Sequence, residues 1–153
     1  FHLKVGDKAL EFEIKDQNGR VHNIADYLGK KVILYFYPKD LTPGCTTQSC
    51  DLRDNYESLI QEGFEVIGVS ADDEAKHQKF IAKHNLPFNL LADTDRAVLN
   101  RYGVWGEKKF MGKVYDGIHR TTFIIDENGT IENIILKVKT KIHTEQIRLA
   151  LKS

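Results

Sequence analysis

Three stretches of the chain carry near-continuous runs of β-branched and aromatic residues: "KVILYFY" (31–37), "FEVIGVS" (64–70) and "TTFIID" (121–126). Such runs suit strands covered on both faces, where no alternation with polar residues is needed. Between the first two, Leu52, Tyr56, Leu59 and Ile60 recur at helical spacing, so residues 46–62 are predicted to form a helix that Gly63 ends. Residues 71–73 offer caps for a second helix reaching His84, with Phe80 and Ile81 turned inward. "LPFNLLAD" (86–93) reads as a short strand, and Asp93 or Asp95 starts a helix to Tyr102. The segment 103–116 places Trp105 and Met111 among charges and reads as irregular. Residues 144–151 close the chain as an amphipathic helix with Ile147 and Leu151 on one face. Two turns share the pattern D-x-N-G, at 16–19 and 126–129, and each predicts a hairpin. The first joins weak strands at 11–14 and 20–22; the second joins "TTFIID" to "TIENIIL".

The resulting order is β-hairpin, βαβαβα, β-hairpin, helix. It predicts an α/β fold: a central mixed β-sheet flanked by helices, preceded by an N-terminal β-hairpin and of thioredoxin-like size. Residues 1–153 are expected to be a single domain, since a chain of this length buries roughly 70% of its unfolded surface. Lys and Arg number 22, as do Asp and Glu, for a formal net charge of zero. That balance speaks against nucleic acid or an anionic membrane as partner, because both require a concentrated basic face. No run of about 18 apolar residues is present to span a bilayer. The opening "FHLKVGDKAL" lacks the basic start and apolar core of a signal peptide. A cytoplasmic location is therefore expected. No long exposed apolar helix or edge run advertises an interface, so a monomer is favoured, with a dimer as the alternative.

Composition leaves the two cysteines without a stabilising duty. Two thiols in 153 residues make no disulfide scaffold. Cys45 follows Pro43-Gly44 at the end of the strand run, which puts it in the first turn of the next helix. Unpaired amide N–H groups and the helix dipole favour a thiolate there, and the Thr42 hydroxyl is a donor within reach of the same sulfur. A C-x-x-C redox pair is absent, since position 48 is Gln. A phosphatase loop is absent too, because Asp51 stands where its Arg would be. The histidines (His2, His22, His77, His84, His119, His143) are scattered without zinc-ligand spacing, so no metal is expected. A Cys–His hydrolase remains open, because a partner His can be distant in sequence.

The spacing of the thiols is informative. On one helix, five residues rotate Cys50 by about 140° from Cys45 and raise it about 7.5 Å. A disulfide needs Cα atoms within roughly 7 Å and converging Cβ vectors. The pair cannot close without unwinding at least a turn, so a helix with separated thiols and a locally unfolded disulfide loop are both expected.

"PKDLTPGC" (38–45) matches the P-x-x-x-T-x-x-C signature of peroxiredoxins, and with a second Cys five positions on the chain resembles the peroxiredoxin Q, or bacterioferritin comigratory protein, subfamily. "KVGDKALEF", "VIGVSADD", "YGVWGEKK" and "GIHRTTFIIDENG" extend the similarity over nearly the whole chain. Leu10 departs from the usual Pro of "GDKAPDF", Leu41 stands where a polar or charged residue is usual, and Gln48 lies where relatives have Glu or Gln. The resemblance implies that Cys45 is the peroxidatic nucleophile and Cys50 the resolving thiol. By the same resemblance, Thr42 hydrogen-bonds the thiolate and the incoming peroxide, Pro38 shields the site from water, and Arg120 supplies a fixed positive charge. The implied substrates are hydrogen peroxide and organic hydroperoxides, the implied reductant is thioredoxin or a similar dithiol, and no cofactor is implied. A redox sensor and a redox-activated holdase chaperone are the alternatives.

A magnitude limits what ionising a thiol can achieve. An ordinary free thiol is about 3% thiolate at pH 7, so full ionisation gains at most roughly 30-fold, about 2 kcal/mol. Enzymes typically supply about 8 kcal/mol or more. Most of the acceleration is therefore expected from charge stabilisation as the O–O bond lengthens, by Arg120, Thr42 and the helix-start amides.

Overall fold

The computed structural model describes residues 2–152. Its centre is a five-stranded sheet in the order β5-β4-β3-β8-β9. Strands β3 (Lys31–Phe36), β4 (Phe64–Ser70) and β5 (Asn89–Ala92) run parallel, while β8 (Thr121–Ile125) and β9 (Ile131–Ile135) add to the other edge antiparallel. The expected mixed sheet is thus present, and so is the N-terminal hairpin, reduced to β1 (Ile14–Lys15) and β2 (Val21–His22).

Residues of β3 alternate between two apolar layers even though all but the first are buried. Val32, Leu34 and Phe36 pack with Ile67, Val69, Val98, Leu99, Tyr102 and Phe123. Ile33, Tyr35 and Tyr37 pack on the opposite face with Cys45, Leu52, Leu59, Phe80 and Ile147. That second layer is roofed by α1 (Pro43–Asp54), α2 (Tyr56–Gln61), α3 (Glu74–His84) and α5 (His143–Lys152), and the first by α4 (Ala97–Arg101) and the N-terminal segment. Both D-x-N-G turns close through the same chemistry. Asp16 Oδ1 accepts from the amides of Asn18 and Arg20, and Asp126 Oδ1 from those of Asn128 and Thr130.

Two sequence expectations need correcting. The helix expected over 46–62 begins earlier, at Pro43, and breaks at Asn55, whose side chain donates back to the Asp51 carbonyl at 2.8 Å. Asp51 and Asp54 stand in the last turn of α1. Asp51 accepts the Thr144 amide at 2.7 Å, at the start of α5. The segment read as irregular is a hairpin: β6 (Trp105–Phe110) pairs antiparallel with β7 (Lys113–Ile118) through a two-residue turn. Met111 and Gly112 both take positive φ there, 51° and 79°, as a type I′ turn requires. Its strands carry mostly solvated side chains, so no apolar alternation marked them. Phe110, at the end of β6, is 66% exposed.

Candidate active site

The site forms where β3 ends and α1 begins. Pro43 occupies the first helical position, where its missing N–H costs nothing. The first intrahelical bond runs from the Thr46 amide to the Thr42 carbonyl at 2.8 Å. The Gly44 and Cys45 amides precede it, and no Thr42 side-chain bond caps them. Their positive ends, with the helix dipole behind them, favour negative charge on Cys45 Sγ. The Cys45 residue is 1% exposed, while Cys50 is half-buried, and both thiols are free. The two therefore sit on one helix, about 140° and 7.5 Å apart by helix geometry, beyond disulfide reach.

Arg120 arrives through strand topology. β8 is antiparallel to β3 with Thr121 opposite Phe36, so the residue preceding β8 falls beside the end of β3. Its guanidinium places Nη2 3.2 Å from Cys45 Sγ and donates from Nη1 to Gln48 Oε1 at 2.6 Å. Gly44 permits the approach, since a Cβ there would stand 3.3 Å from Nη2. Gln48 is fully buried, one turn after Cys45, and its Nε2 has no hydrogen-bond partner. A buried donor left unpaired costs about 1–3 kcal/mol, and it lies between the two cysteines.

Thr42 stands at the N-cap with extended backbone, but its hydroxyl donates to the Lys39 carbonyl at 2.7 Å. The hydroxyl proton expected for sulfur is engaged elsewhere, which leaves the oxygen lone pairs as its remaining capacity. Pro38 is half-buried and opens the loop from β3 to α1. Leu41 in that loop is exposed with φ 64°, a strained conformation for a branched side chain.

Buried polar groups hold the loop in place. Asp40 accepts from the Tyr37 hydroxyl at 2.5 Å and faces His77 Nδ1 at 2.6 Å, while His77 Nε2 donates to the Leu91 carbonyl at 2.9 Å. The Asp40 amide donates to Asp72 Oδ2 at 2.8 Å, which also accepts from the Ser70 hydroxyl at 2.7 Å. Asp40 lies inside the motif, but nothing in the sequence linked it to His77, 37 positions away. On the other face of α1, His143 Nε2 meets the Thr122 hydroxyl at 2.9 Å. Burial pulls the His143 imidazole down to about 4, so it is neutral at pH 7. Lys108, in the segment read as irregular, is half-buried and donates from Nζ to the Ile118 carbonyl at 2.9 Å; burial first, then the Arg120 charge, lowers its pKa, and the Cys45 charge opposes them. Among the described residues, no cluster of three or more His, Cys, Asp or Glu could hold a metal ion, and no helix is long and apolar enough to cross a membrane.

Residues 5–134 match the model of the AhpC/TSA family. Peroxiredoxin Bcp of Escherichia coli is 48% identical over 145 residues, covering 95% of this chain and 93% of the relative. A structure of peroxiredoxin Q from Xylella fastidiosa, a cysteine-to-serine mutant, superposes with a TM-score of 0.91 at 30% identity, over 99% of this chain and 97% of that one. A structure of the bacterioferritin comigratory protein of Xanthomonas campestris gives 0.85 at 33% identity, over 92% and 90%. A helix-start cysteine under an arginine that directly precedes a sheet strand fits the motif over 38–45, and the chain belongs to the AhpC/TSA family, in its peroxiredoxin Q branch.

Proposed function

We propose that Cys45 is the nucleophile of a thiol peroxidase and that Cys50 resolves it through an intramolecular disulfide. Membership of the family makes the chain a peroxidase that acts on a peroxide and is reset by a reductant. The Xanthomonas relative was solved in trapped intermediate and ligand complexes bearing on alkyl peroxide reduction, and we extend organic hydroperoxides, with hydrogen peroxide, to this chain. The observation that carries the residue assignment is the 3.2 Å contact of Arg120 Nη2 with a buried sulfur at the start of α1.

The chemistry follows from the geometry. Cys45 thiolate attacks one peroxide oxygen, the O–O bond breaks, and a sulfenic acid forms. Arg120 and the Gly44 and Cys45 amides stabilise charge at the sulfur and on the lengthening bond. Thr42, its own proton given to Lys39, accepts from the peroxide hydroxyl and orients it. Pro38 keeps water from the sulfur. The first turns of α1 then unwind, Cys50 condenses with the sulfenic acid, water leaves, and thioredoxin or a similar dithiol reduces the disulfide by exchange. The protein works as a monomer.

A coupled assay with hydrogen peroxide, thioredoxin, its reductase and NADPH tests this. Sustained NADPH consumption that Cys45→Ser abolishes is expected. A single burst would mean a redox sensor, and aggregation suppression without turnover a holdase.

A further inference from the structure

A hydroxyl has one proton and two lone pairs, so whatever takes the proton decides where the lone pairs point. At Thr42, the N-cap of the helix whose third residue is Cys45, the proton goes to the Lys39 carbonyl at 2.7 Å. The direction of that carbonyl therefore sets how Thr42 meets a peroxide.

The Lys39 carbonyl and the Asp40 N–H belong to one peptide unit, which is planar and trans, so its two polar ends point opposite ways. The Asp40 N–H donates to Asp72 Oδ2 at 2.8 Å. Fixing that end fixes the carbonyl at the other, and a single rigid plane links a carboxylate to the Thr42 hydroxyl. The plane needs an anchor. Leu41, the next residue, holds φ at 64°, a strained conformation that relaxes unless its neighbours are held. The Asp40 carboxylate is engaged separately, by Tyr37 and His77, which leaves the peptide N–H to Asp72.

The fold brings Asp72 to this place. β4 runs parallel to β3 with Val69 opposite Phe36, so the loop after β4 lies beside the loop after β3. Asp72 is 8% exposed. Its Oδ2 also accepts the Ser70 hydroxyl at 2.7 Å, its own amide donates back to Ser70 Oγ at 3.2 Å, and Lys76 Nζ stands 3.8 Å from Oδ1. A carboxylate held by so many partners does not swing.

We propose that Asp72 is a positioning residue for peroxide reduction. Through the 39–40 peptide it turns the Thr42 lone pairs toward the hydroxyl of the bound peroxide. No bond of the reaction forms at Asp72, and its whole effect on the rate passes through Thr42.

The inference rests on the role of Thr42 given under Proposed function, so the experiment separates the two. Single-turnover oxidation of Cys45 by hydrogen peroxide is followed in wild type, Asp72→Ala, Asp72→Asn, Thr42→Val and the double variant Asp72→Ala with Thr42→Val. Asp72→Ala should be slower by about 100-fold, the scale of a reacting group misplaced by about 1 Å. Asp72→Asn keeps an oxygen that accepts the Asp40 N–H and should restore most of the rate. In the Thr42→Val background, Asp72→Ala should cost nothing further. Iodoacetamide alkylation of Cys45, located by tandem mass spectrometry, needs no acceptor for a hydroxyl and should keep its wild-type rate in Asp72→Ala. Losses that multiply in the double variant would overturn the proposal, as would failure of Asp72→Asn to rescue. Alkylation that slows with oxidation would overturn it in favour of a structural role, and an Asp72→Ala that oxidises at the wild-type rate would overturn it outright. Should Asp72→Ala not fold, Ser70→Ala, which removes one bond to the same carboxylate, is read in the same cycle by the same criteria. A Thr42→Val that keeps the wild-type rate, or a wild-type Cys45 that peroxide leaves unoxidised, would instead overturn the reading underneath and this inference with it.

Discussion

Helices α1 and α3 both leave the ends of parallel strands in the same sheet, yet they are stabilised in opposite ways. α3 supplies its own ends. Asp73 Oδ1 accepts the Lys76 amide at 2.9 Å, Asn85 closes the helix in the left-handed region, and Lys83 complements the dipole in the last turn. α1 shares only a basic residue in its last turn, Arg53. Thr42 makes no side-chain cap, the second helical residue is glycine, Asp51 and Asp54 oppose the dipole at the C-terminus, and Gln48 keeps an unpaired amide inside. What holds α1 lies outside it: Arg120 at its start, and α5 near its end through the Asp51–Thr144 bond. A helix held from without can be released by changing a few contacts, as a disulfide between Cys45 and Cys50 demands.

The largest break in this comparison should come from removing the external clamp. Arg120→Ala is expected to slow single-turnover Cys45 oxidation by about 10³-fold, about 4 kcal/mol, while Asp73→Ala leaves that rate nearly intact. A loss for Arg120→Ala confined to about 30-fold would show thiol ionisation to be the whole contribution.

Acid should loosen the α5 support next. Burial lowers His143 from 6.5 to about 4, with Arg120 assisting and the Gln146 bond and Asp51 opposing. The unfolded chain therefore binds a proton in this window that the folded protein refuses. The stabilisation is fully present above pH 6.5 and is lost as pH falls toward about 4, by about 3 kcal/mol. Urea unfolding at several pH values should show wild type losing more stability than His143→Gln by that amount; parallel losses would remove the role.

Smaller effects sharpen the contrast. Asp73→Ala should cost about 1 kcal/mol of stability by loss of a cap, and Thr42→Ala less, because its hydroxyl caps nothing. Hydrogen exchange should show α1 amides opening at lower free energy than those of α3. Equal protection would erase the distinction between them. The smallest change is expected at Cys50→Ser, which should leave the first oxidation of Cys45 near its wild-type rate and stall only recycling by thioredoxin. Equal loss of the first oxidation in Cys45→Ser and Cys50→Ser would undo their assignment.

Strong local signals made much of this readable. Unbroken apolar runs located β3, β4 and β8, since a strand covered on both faces tolerates few polar residues. Pro43-Gly44 located the start of the helix bearing Cys45, although the spacing of Leu52, Tyr56, Leu59 and Ile60 did not reveal the break at Asn55. The β6–β7 hairpin escaped notice because its side chains face water and its turn is Met111-Gly112, not a pair with Asn or Asp.

The sequence by itself determined which atoms can react and how far apart one helix keeps them: a thiol at a helix start, a second thiol five residues on, and the motif that names their family. These are local facts, set by spacing along the chain and by backbone geometry. Tertiary structure decided which charges meet the sulfur. Arg120 reaches Cys45 across 75 positions because β8 runs antiparallel to β3, and His77 finds Asp40 through a buried bond. Coulomb and hydrogen-bond energies depend on separation in space, and only the folded sheet fixes that.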